Sequence, residues 1–253
     1  MRVSADGATH PGRRATNEDA WLVDASLGLF VVADGMGGHK AGEVAARLAI
    51  DAIQEFIEQS RGSSDLTWPF GLDRTISLDA NRLRNAVCLA NGRVLDASEA
   101  RAEYTGMGTT VVAALAGKDR LVFVSVGDSR VYLWQRGSVQ QLTQDDSWVA
   151  TVLAREPGLS ETALAQHPMR HVLTSVIGAR ADTEPDVDER ALECGDVVLL
   201  CSDGLHGAVP PDEIGVMLGS GRPIGEMAEA LVERAIARGA SDNVTAVVIR
   251  REG

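Results

Sequence analysis

The sequence predicts an α+β fold in the form of a layered sandwich of antiparallel strands and helices. Short runs of apolar and β-branched residues recur along the chain and end at Gly, Asp or Asn, which is typical of strands. Between them lie longer segments whose apolar residues repeat every three to four positions, as in amphipathic helices. Several strand connections are too short for the crossover of a parallel pair, which excludes a doubly wound nucleotide-binding fold.

Six segments are predicted to be strands, and several are apolar throughout, which indicates strands covered on both faces. They are Leu29–Ala33, Thr109–Leu115, Leu121–Val126, Arg130–Trp134, Asp196–Cys201 and Asn243–Arg250. A turn containing Gly117 separates the second from the third. Only Gly127-Asp128-Ser129 separates the third from the fourth, which is a hairpin signal. We therefore expect both pairs to be antiparallel neighbours.

Three segments are predicted to be helices, namely Glu43–Glu58, Asn81–Ala100 and Ile224–Ala237. A polar stretch that begins near Thr143 is interrupted by Pro157 and Pro168, and we interpret residues 143–175 as a flap. No shift in composition marks a domain boundary, so residues 1–253 are expected to form a single domain.

Composition narrows the function classes. The chain has 253 residues, 45% of them hydrophobic, and a formal net charge of −12. This apolar fraction excludes a disordered chain, and the acidic balance argues against nucleic-acid or membrane partners, which bind through basic patches. There is no apolar run of membrane-spanning length and no secretory signal. Cys88, Cys194 and Cys201 form no C-x-x-C pair, so we expect free thiols and a soluble, cytoplasmic protein.

Carboxylates stand where the apolar runs end. Asp34, Asp128 and Asp203 each follow or precede a glycine at a strand end, Asp242 comes just before the last strand, and Glu18-Asp19 precedes the first. A single Asp-Gly is most often an ordinary turn. Several together, with few His or Cys nearby, are the hard oxygen ligands that Mg²⁺ or Mn²⁺ prefers. If they converge, their mutual repulsion also predicts bound cations.

A set of motifs in a fixed order carries a family resemblance. They are R-x-x-N-E-D at 14–19, V-V-A-D-G-M-G-G-H-x-x-G-E at 31–43, G-T-T at 108–110, V-G-D-S-R at 126–130, L-T-x-D at 142–145, C-S-D-G-L at 201–205 and S-D-N-V-T at 241–245. The chain resembles the bacterial branch of the metal-dependent type 2C (PPM) Ser/Thr protein phosphatases. This resemblance implies an α-β-β-α sandwich, with two central antiparallel sheets flanked by helices and a metal site at one edge.

The resemblance also implies a set of metal ligands for two Mn²⁺ or Mg²⁺ ions. Asp34 resembles the bridging carboxylate, Gly35 a backbone carbonyl ligand, and Asp203 and Asp242 the ligands of the second ion. Glu18 and Asp19 match an acidic pair that touches the ions directly or through water. Asp128 resembles the ligand of a third, weaker ion.

Two further residues are candidates for catalysis. Arg14 resembles the arginine that holds the substrate phosphate, for which its planar fork is suited. Its neighbour Arg13 is interpreted as a solvated surface charge. His39 is a candidate general acid, and a local hydrogen bond at the helix entry is the alternative. Asp146 stands where family members often have histidine. We assign no catalytic role to His167 or His171.

The activity implied by the resemblance is hydrolysis of phosphoserine and phosphothreonine by a metal-bridged hydroxide, opposing a cognate Ser/Thr kinase. Phosphorylated proteins are the expected partners, and a monomer is expected. One alternative is a metal-dependent phosphoesterase of small phosphate esters. Another is an inactive relative that binds phosphoproteins, although Asp34, Asp203 and Asp242 are all present.

Overall fold

The computed structural model describes residues 2–37, 41–62, 67–117, 120–156, 158–159, 164 and 167–253. The strands in this part of the chain are β1 (Val3–His10), β2 (Asp19–Asp24), β3 (Leu29–Met36), β4 (Gly108–Thr109), β5 (Val111–Ala116), β6 (Arg120–Val126), β7 (Arg130–Gln135), β8 (Ser138–Gln141), β9 (Asp186–Ala191), β10 (Val197–Cys201) and β11 (Val244–Arg251). The helices are α1 (Ala41–Gly62), α2 (Leu78–Ala100), α3 (Trp148–Arg155), α4 (Asp203–His206), α5 (Pro211–Leu218) and α6 (Ile224–Ala237), with a 3₁₀ turn at Ala102–Tyr104.

The strands form two sheets in which every recorded pairing is antiparallel, as predicted. The first sheet has the order β1-β11-β10-β7-β8, and the second has the order β2-β3-β5-β6-β9 with the short β4 beside β3. The predicted pairing of β5 with β6 across the Gly117 turn is confirmed, with Val111 opposite Val126.

The structure has four layers of secondary structure, and an apolar core lies between each neighbouring pair of layers. Phe30 and Phe123 of the second sheet pack with Val198 and Val247 of the first sheet between the two sheets. A second core joins α1 and α2 to the outer face of the second sheet. The third joins α4, α5 and α6 to the outer face of the first sheet. The α-β-β-α sandwich is therefore confirmed, and both faces of the central strands are covered.

The predicted hairpin between β6 and β7 is wrong. The two strands belong to different sheets, and Gly127, with a φ of +101°, lies in a turn that crosses from one sheet to the other. Leu121 of β6 and Leu133 of β7 pack into the same core from opposite sheets. A three-residue turn can connect two strands of one sheet or two strands of different sheets. The connection between different sheets is the one that buries the apolar faces of both strands.

The strands without a prediction lie at or near the sheet edges. Among the six residues of β9, only Val187 and Ala191 are apolar, because the strand is exposed along one face. The three cysteines are free, as expected. None of the helices in the described residues combines the length and apolar character needed to cross a bilayer.

Candidate active site

The predicted carboxylates meet at one edge of the sandwich. Asp34 lies near the end of β3, Asp203 follows β10, Asp128 lies in the β6–β7 turn and Asp242 precedes β11. Antiparallel pairing brings the end of β10 beside the start of β11, and stacking of the two sheets brings β3 and the β6–β7 turn to the same edge. The charges of Asp19, Asp203, Asp128 and Asp242 all raise the pKa of Asp34, in addition to the larger effect of burial. The structure thus brings the acidic residues singled out in the sequence into one cluster.

Only one of the two carboxylate oxygens of Asp19 accepts hydrogen bonds. It is 7% exposed, and its Oδ2 accepts hydrogen bonds from Ser202 Oγ (2.7 Å) and Thr245 Oγ1 (2.6 Å). Its Oδ1 is buried without a hydrogen-bond partner. Burial raises the pKa of Asp19 to about 6, although the two hydroxyl groups act in the opposite direction. One oxygen therefore fixes the side chain, and the other is left free to bind a ligand.

Asp34 is fixed through its backbone. Its N–H donates to Thr110 Oγ1 (3.2 Å), and its carbonyl accepts from Thr110 N–H and Thr109 Oγ1, both at 2.9 Å. Thr109 and Thr110 belong to the G-T-T motif. Apart from the family resemblance, the sequence indicated no role for this motif. The Asp34 backbone is therefore held by Thr109 of β4 and by Thr110, which lies between β4 and β5.

Asp203 and Asp128 are two further carboxylates of the cluster. Asp203 begins α4, and its Oδ1 is buried without a hydrogen-bond partner. Burial and the charge of Asp242 raise the pKa of Asp203, and a hydrogen bond with Asp34 lowers it. Burial and the charges of Asp203 and Asp145 raise the pKa of Asp128 to about 7. Carboxylates in this state are stabilised by cations.

The donor chemistry fits hard divalent cations. Two buried carboxylate oxygens, Asp19 Oδ1 and Asp203 Oδ1, lack a hydrogen-bond partner, and burying such an atom is costly unless something compensates it. Within the described residues, no group of three His, Cys, Asp or Glu side chains is arranged to hold an ion by itself. Mg²⁺ typically takes only one or two carboxylates and keeps several waters.

The β1–β2 loop carries Arg14 and Glu18 to the cluster, and Asn243 ties this loop down. Asn243 Nδ2 donates to the carbonyls of Pro11 (3.0 Å) and Thr16 (2.9 Å), and its Oδ1 accepts from Glu18 N–H at 2.8 Å. Asn243 is 4% exposed. Its role was missed from the sequence, although it lies in the S-D-N-V-T motif, because its partners are more than 200 residues away.

Arg14 reaches the cluster from this loop, where its Nη2 forms a 2.7 Å ion pair with Asp242 Oδ2. Gly35 lies where two backbone segments come into close contact, since a Cβ there would be 2.0 Å from the carbonyl oxygen of Gly42. Burial raises the pKa of Glu18, and Arg14 lowers it. His39 lies outside the described residues.

The turn that carries Asp128 is held from two sides. Asp146 Oδ2 accepts from Gly127 N–H (3.0 Å), and Asp146 N–H donates to the Gly127 carbonyl (2.8 Å). His206 Nε2 lies 3.0 Å from the Asp128 carbonyl oxygen, and burial lowers the pKa of His206 to about 4, so the ring is neutral at pH 7 and donates this hydrogen bond. His206 was also missed from the sequence. The aspartate that departs from the family pattern thus joins the segment predicted to be a flap to this turn.

A cleft of about 680 Å³ opens beside the cluster. The charged and titratable residues that line it are Arg14, His171, Asp203, Arg238 and Asp242. Its volume lies in the range of small-molecule binding sites and exceeds what one phosphate group needs. The cleft is therefore the place where a phosphorylated segment has room beside the carboxylates.

Comparisons with known proteins agree with this geometry. The family model "Protein phosphatase 2C" matches residues 6–242. The serine/threonine phosphatase stp of Listeria welshimeri is 34% identical over 227 residues, covering 88% of this chain and 84% of that protein. The crystal structure of the Mycobacterium tuberculosis serine/threonine phosphatase PstP/Ppp superposes with a TM-score of 0.84 at 34% identity, covering 100% of both chains.

A second PstP structure contains metal. The catalytic domain of the serine/threonine protein phosphatase PstP, in complex with two manganese ions, matches with a TM-score of 0.82 at 34% identity, covering 99% of both chains. The family match spans residues 6–242, which is most of the chain. The chain therefore belongs to the protein phosphatase 2C family.

Proposed function

We propose that the carboxylate cluster is the catalytic centre of this serine/threonine protein phosphatase, a hydrolase that removes phosphate from phosphoserine and phosphothreonine in proteins. The observation that supports this most strongly is the pair of unpartnered buried oxygens, Asp19 Oδ1 and Asp203 Oδ1, beside the exposed Arg14. Asp203 and Arg14 line the same cleft, so a cation site and a phosphate-binding arginine would lie next to each other.

Two Mn²⁺ or Mg²⁺ ions would be held by Asp34, the Gly35 carbonyl, Asp203 and Asp242, with Glu18 and Asp19 as direct or water-mediated partners. Asp128 would hold a third ion. When bound, such cations lower the pKa of water and neutralise charge on the phosphoryl oxygens. The PstP catalytic domain that binds two manganese ions supports this assignment.

The chain's own residues position the substrate. Arg14 would bind two phosphate oxygens with its guanidinium fork, and Asp242 orients that fork through the 2.7 Å ion pair. Asn243 fixes the loop that carries Arg14. His39 stays the predicted donor of the proton that the leaving serine or threonine oxygen requires.

The biological setting follows from the activity. A protein phosphatase implies phosphorylated protein partners and a cognate Ser/Thr kinase. We keep the interpretation of a single monomeric domain with a flap at about 143–175. Three free cysteines, two of them buried, support a reducing compartment such as the cytoplasm.

The test is hydrolysis of p-nitrophenyl phosphate and of phosphothreonine peptides with Mn²⁺, compared with EDTA. We expect turnover with Mn²⁺ and its loss in EDTA. Persistent turnover in EDTA would reject the metal-dependent mechanism. Turnover of small esters with none of phosphopeptides would favour the small-ester phosphoesterase instead.

A further inference from the structure

The cleft beside the cluster is lined by a second arginine, Arg238, in addition to Arg14. Arg238 follows α6 and lines the cleft together with the backbone of Gly239 and Ala240. Arg13 does not line the cleft itself, but its guanidinium lies beside the lining residue Gly239, since a Cβ added to Gly239 would be 3.1 Å from Arg13 Nη2. We call Arg13 and Arg238 the arginine wall. It lies on a protein whose formal net charge is −12.

The positive charge of the arginine wall is not cancelled by its nearest carboxylate. Arg238 Nη2 pairs with Glu213 Oε2 at 2.7 Å, but the same carboxylate also pairs with Arg234. One carboxylate between two guanidinium groups leaves the group with a net positive charge. The Arg238 side chain is 40% exposed, so it can still meet a ligand.

A flap residue also enters the cleft. His171 lines it, and its position is set by neighbouring backbone bonds, because Trp148 N–H donates to the Val172 carbonyl (2.8 Å) and Thr174 N–H to the Asp146 carbonyl (2.8 Å). The Trp148 ring stacks on His167 with centroids 4.3 Å apart. The cleft is thus bordered by polar donors on elements that are held in place.

We propose that the arginine wall is a subsite for a second anionic group on the phosphorylated segment, either an acidic side chain or a second phosphate. This proposal rests on the proposed function, in which Arg14 binds the phosphate that is removed. The guanidinium forks of Arg13 and Arg238 suit bidentate binding of carboxylate or phosphate oxygens. The enzyme therefore favours phosphorylated sites with acidic neighbours.

The experiment compares kcat/KM for three phosphothreonine peptides of one sequence, in which the flanking positions carry alanine, glutamate or phosphoserine. The wild-type enzyme is expected to prefer the two anionic peptides by about fivefold, as a partly exposed ion pair gives. The preference should fall in 0.3 M NaCl, because salt screens exposed charges. A preference for phosphoserine alone would identify a dianion as the ligand.

Arg238→Gln and Arg13→Gln should reduce the preference to below twofold. Arg190→Gln is the matched control, because this exposed arginine of β9 pairs with Asp188 and does not line the cleft, and it should retain the preference. Equal turnover of all three peptides by the wild-type enzyme, or a preference that survives in the Arg13→Gln/Arg238→Gln double variant, would overturn the proposal. Absence of Mn²⁺-dependent turnover of every peptide would instead reject the proposed function.

Binding provides a readout apart from turnover. Fluorescence anisotropy of the same labelled peptides with Asp34→Asn, with and without Arg238→Gln, should show the same charge preference in Kd. A Kd that does not distinguish the anionic peptides from the alanine peptide would contradict the subsite.

Discussion

Asp19 and Asp34 lie directly opposite each other on the paired strands β2 and β3. Side chains in this relationship share one face of the sheet, and like charges placed so are destabilising. Burial raises the pKa of both groups, and the charge of Asp19 raises that of Asp34 further. Binding of protons or of cations therefore reduces the repulsion between the two carboxylates.

The metal-free protein should therefore lose stability as the pH rises from about 4 to about 7. Burial raises the pKa of Asp19 to about 6 and that of Asp128 to about 7, whereas unfolded aspartates release their protons near 3.8. The native state binds more protons across this window, so the free energy of unfolding falls with pH. Thermal melts in EDTA from pH 4.5 to 7.5 measure this.

Adding Mn²⁺ at pH 7.5 should restore the melting temperature, because the cation takes over the role of the protons. In EDTA, the melting temperature of the Asp128→Asn variant should change less with pH near pH 7 than that of the wild type. A melting temperature in EDTA that rises steadily over this range would contradict the assignment of these carboxyl groups to one cluster.

Asp203→Asn should abolish most Mn²⁺-dependent turnover without unfolding the protein. The substitution weakens a ligand whose Oδ1 has no hydrogen-bond partner, so we expect a loss of about two to three orders of magnitude in kcat/KM. In EDTA its melting temperature should equal or exceed that of the wild type, since one repulsive charge is gone. Asp96→Asn on the exposed face of α2 is the control, and wild-type turnover in Asp203→Asn would refute the ligand assignment.

Arg14→Ala should raise the KM for phosphate esters about tenfold or more, because a charge-assisted bidentate contact is lost. Inhibition by inorganic phosphate should weaken in parallel. Arg14→Lys keeps the charge but not the fork, so it should recover only part of the affinity. If kcat fell and KM stayed constant, the phosphate-binding role of Arg14 would need revision.

Asn243→Ala should cost about 2–4 kcal/mol in the free energy of unfolding, because three part-buried hydrogen bonds between the buried Asn243 side chain and backbone groups are lost. Urea denaturation measures this loss. The KM for phosphate esters should also rise, since the freed loop carries Arg14. A variant that is destabilised but has an unchanged KM would show that the loop keeps its position without Asn243.

Asp146→Ala should weaken Mn²⁺ binding at Asp128, because the turn loses its side-chain acceptor at Gly127 N–H. Outer positioning contacts of this kind change metal affinity by about 10–100-fold. Mn²⁺ titration followed by electron paramagnetic resonance should show loss of the weakest binding step. Asp146→Asn keeps an acceptor oxygen and should retain most of the affinity; equal losses in both variants would argue against the proposed hydrogen bond.

Much of the fold was predictable because its signals are local. The apolar runs of β3, β5, β6, β10 and β11 and the periodicity of α1, α2 and α6 appear within single segments. The exposed edge strand β9 was not predicted, because charged residues occupy most of its positions. The short turn Gly127-Asp128-Ser129 suggested a hairpin, but the burial of both faces of β6 and β7 places them in different sheets.

The sequence alone determined which acidic residues to examine, because glycine-flanked aspartates at strand ends are visible in one dimension. Tertiary structure decided how they act together. It placed Asp19 opposite Asp34, left Asp19 Oδ1 and Asp203 Oδ1 without partners, and brought Asn243 to a loop more than 200 residues distant. Such contacts depend on which strands pair and on how the two sheets stack, and no local sequence pattern encodes either.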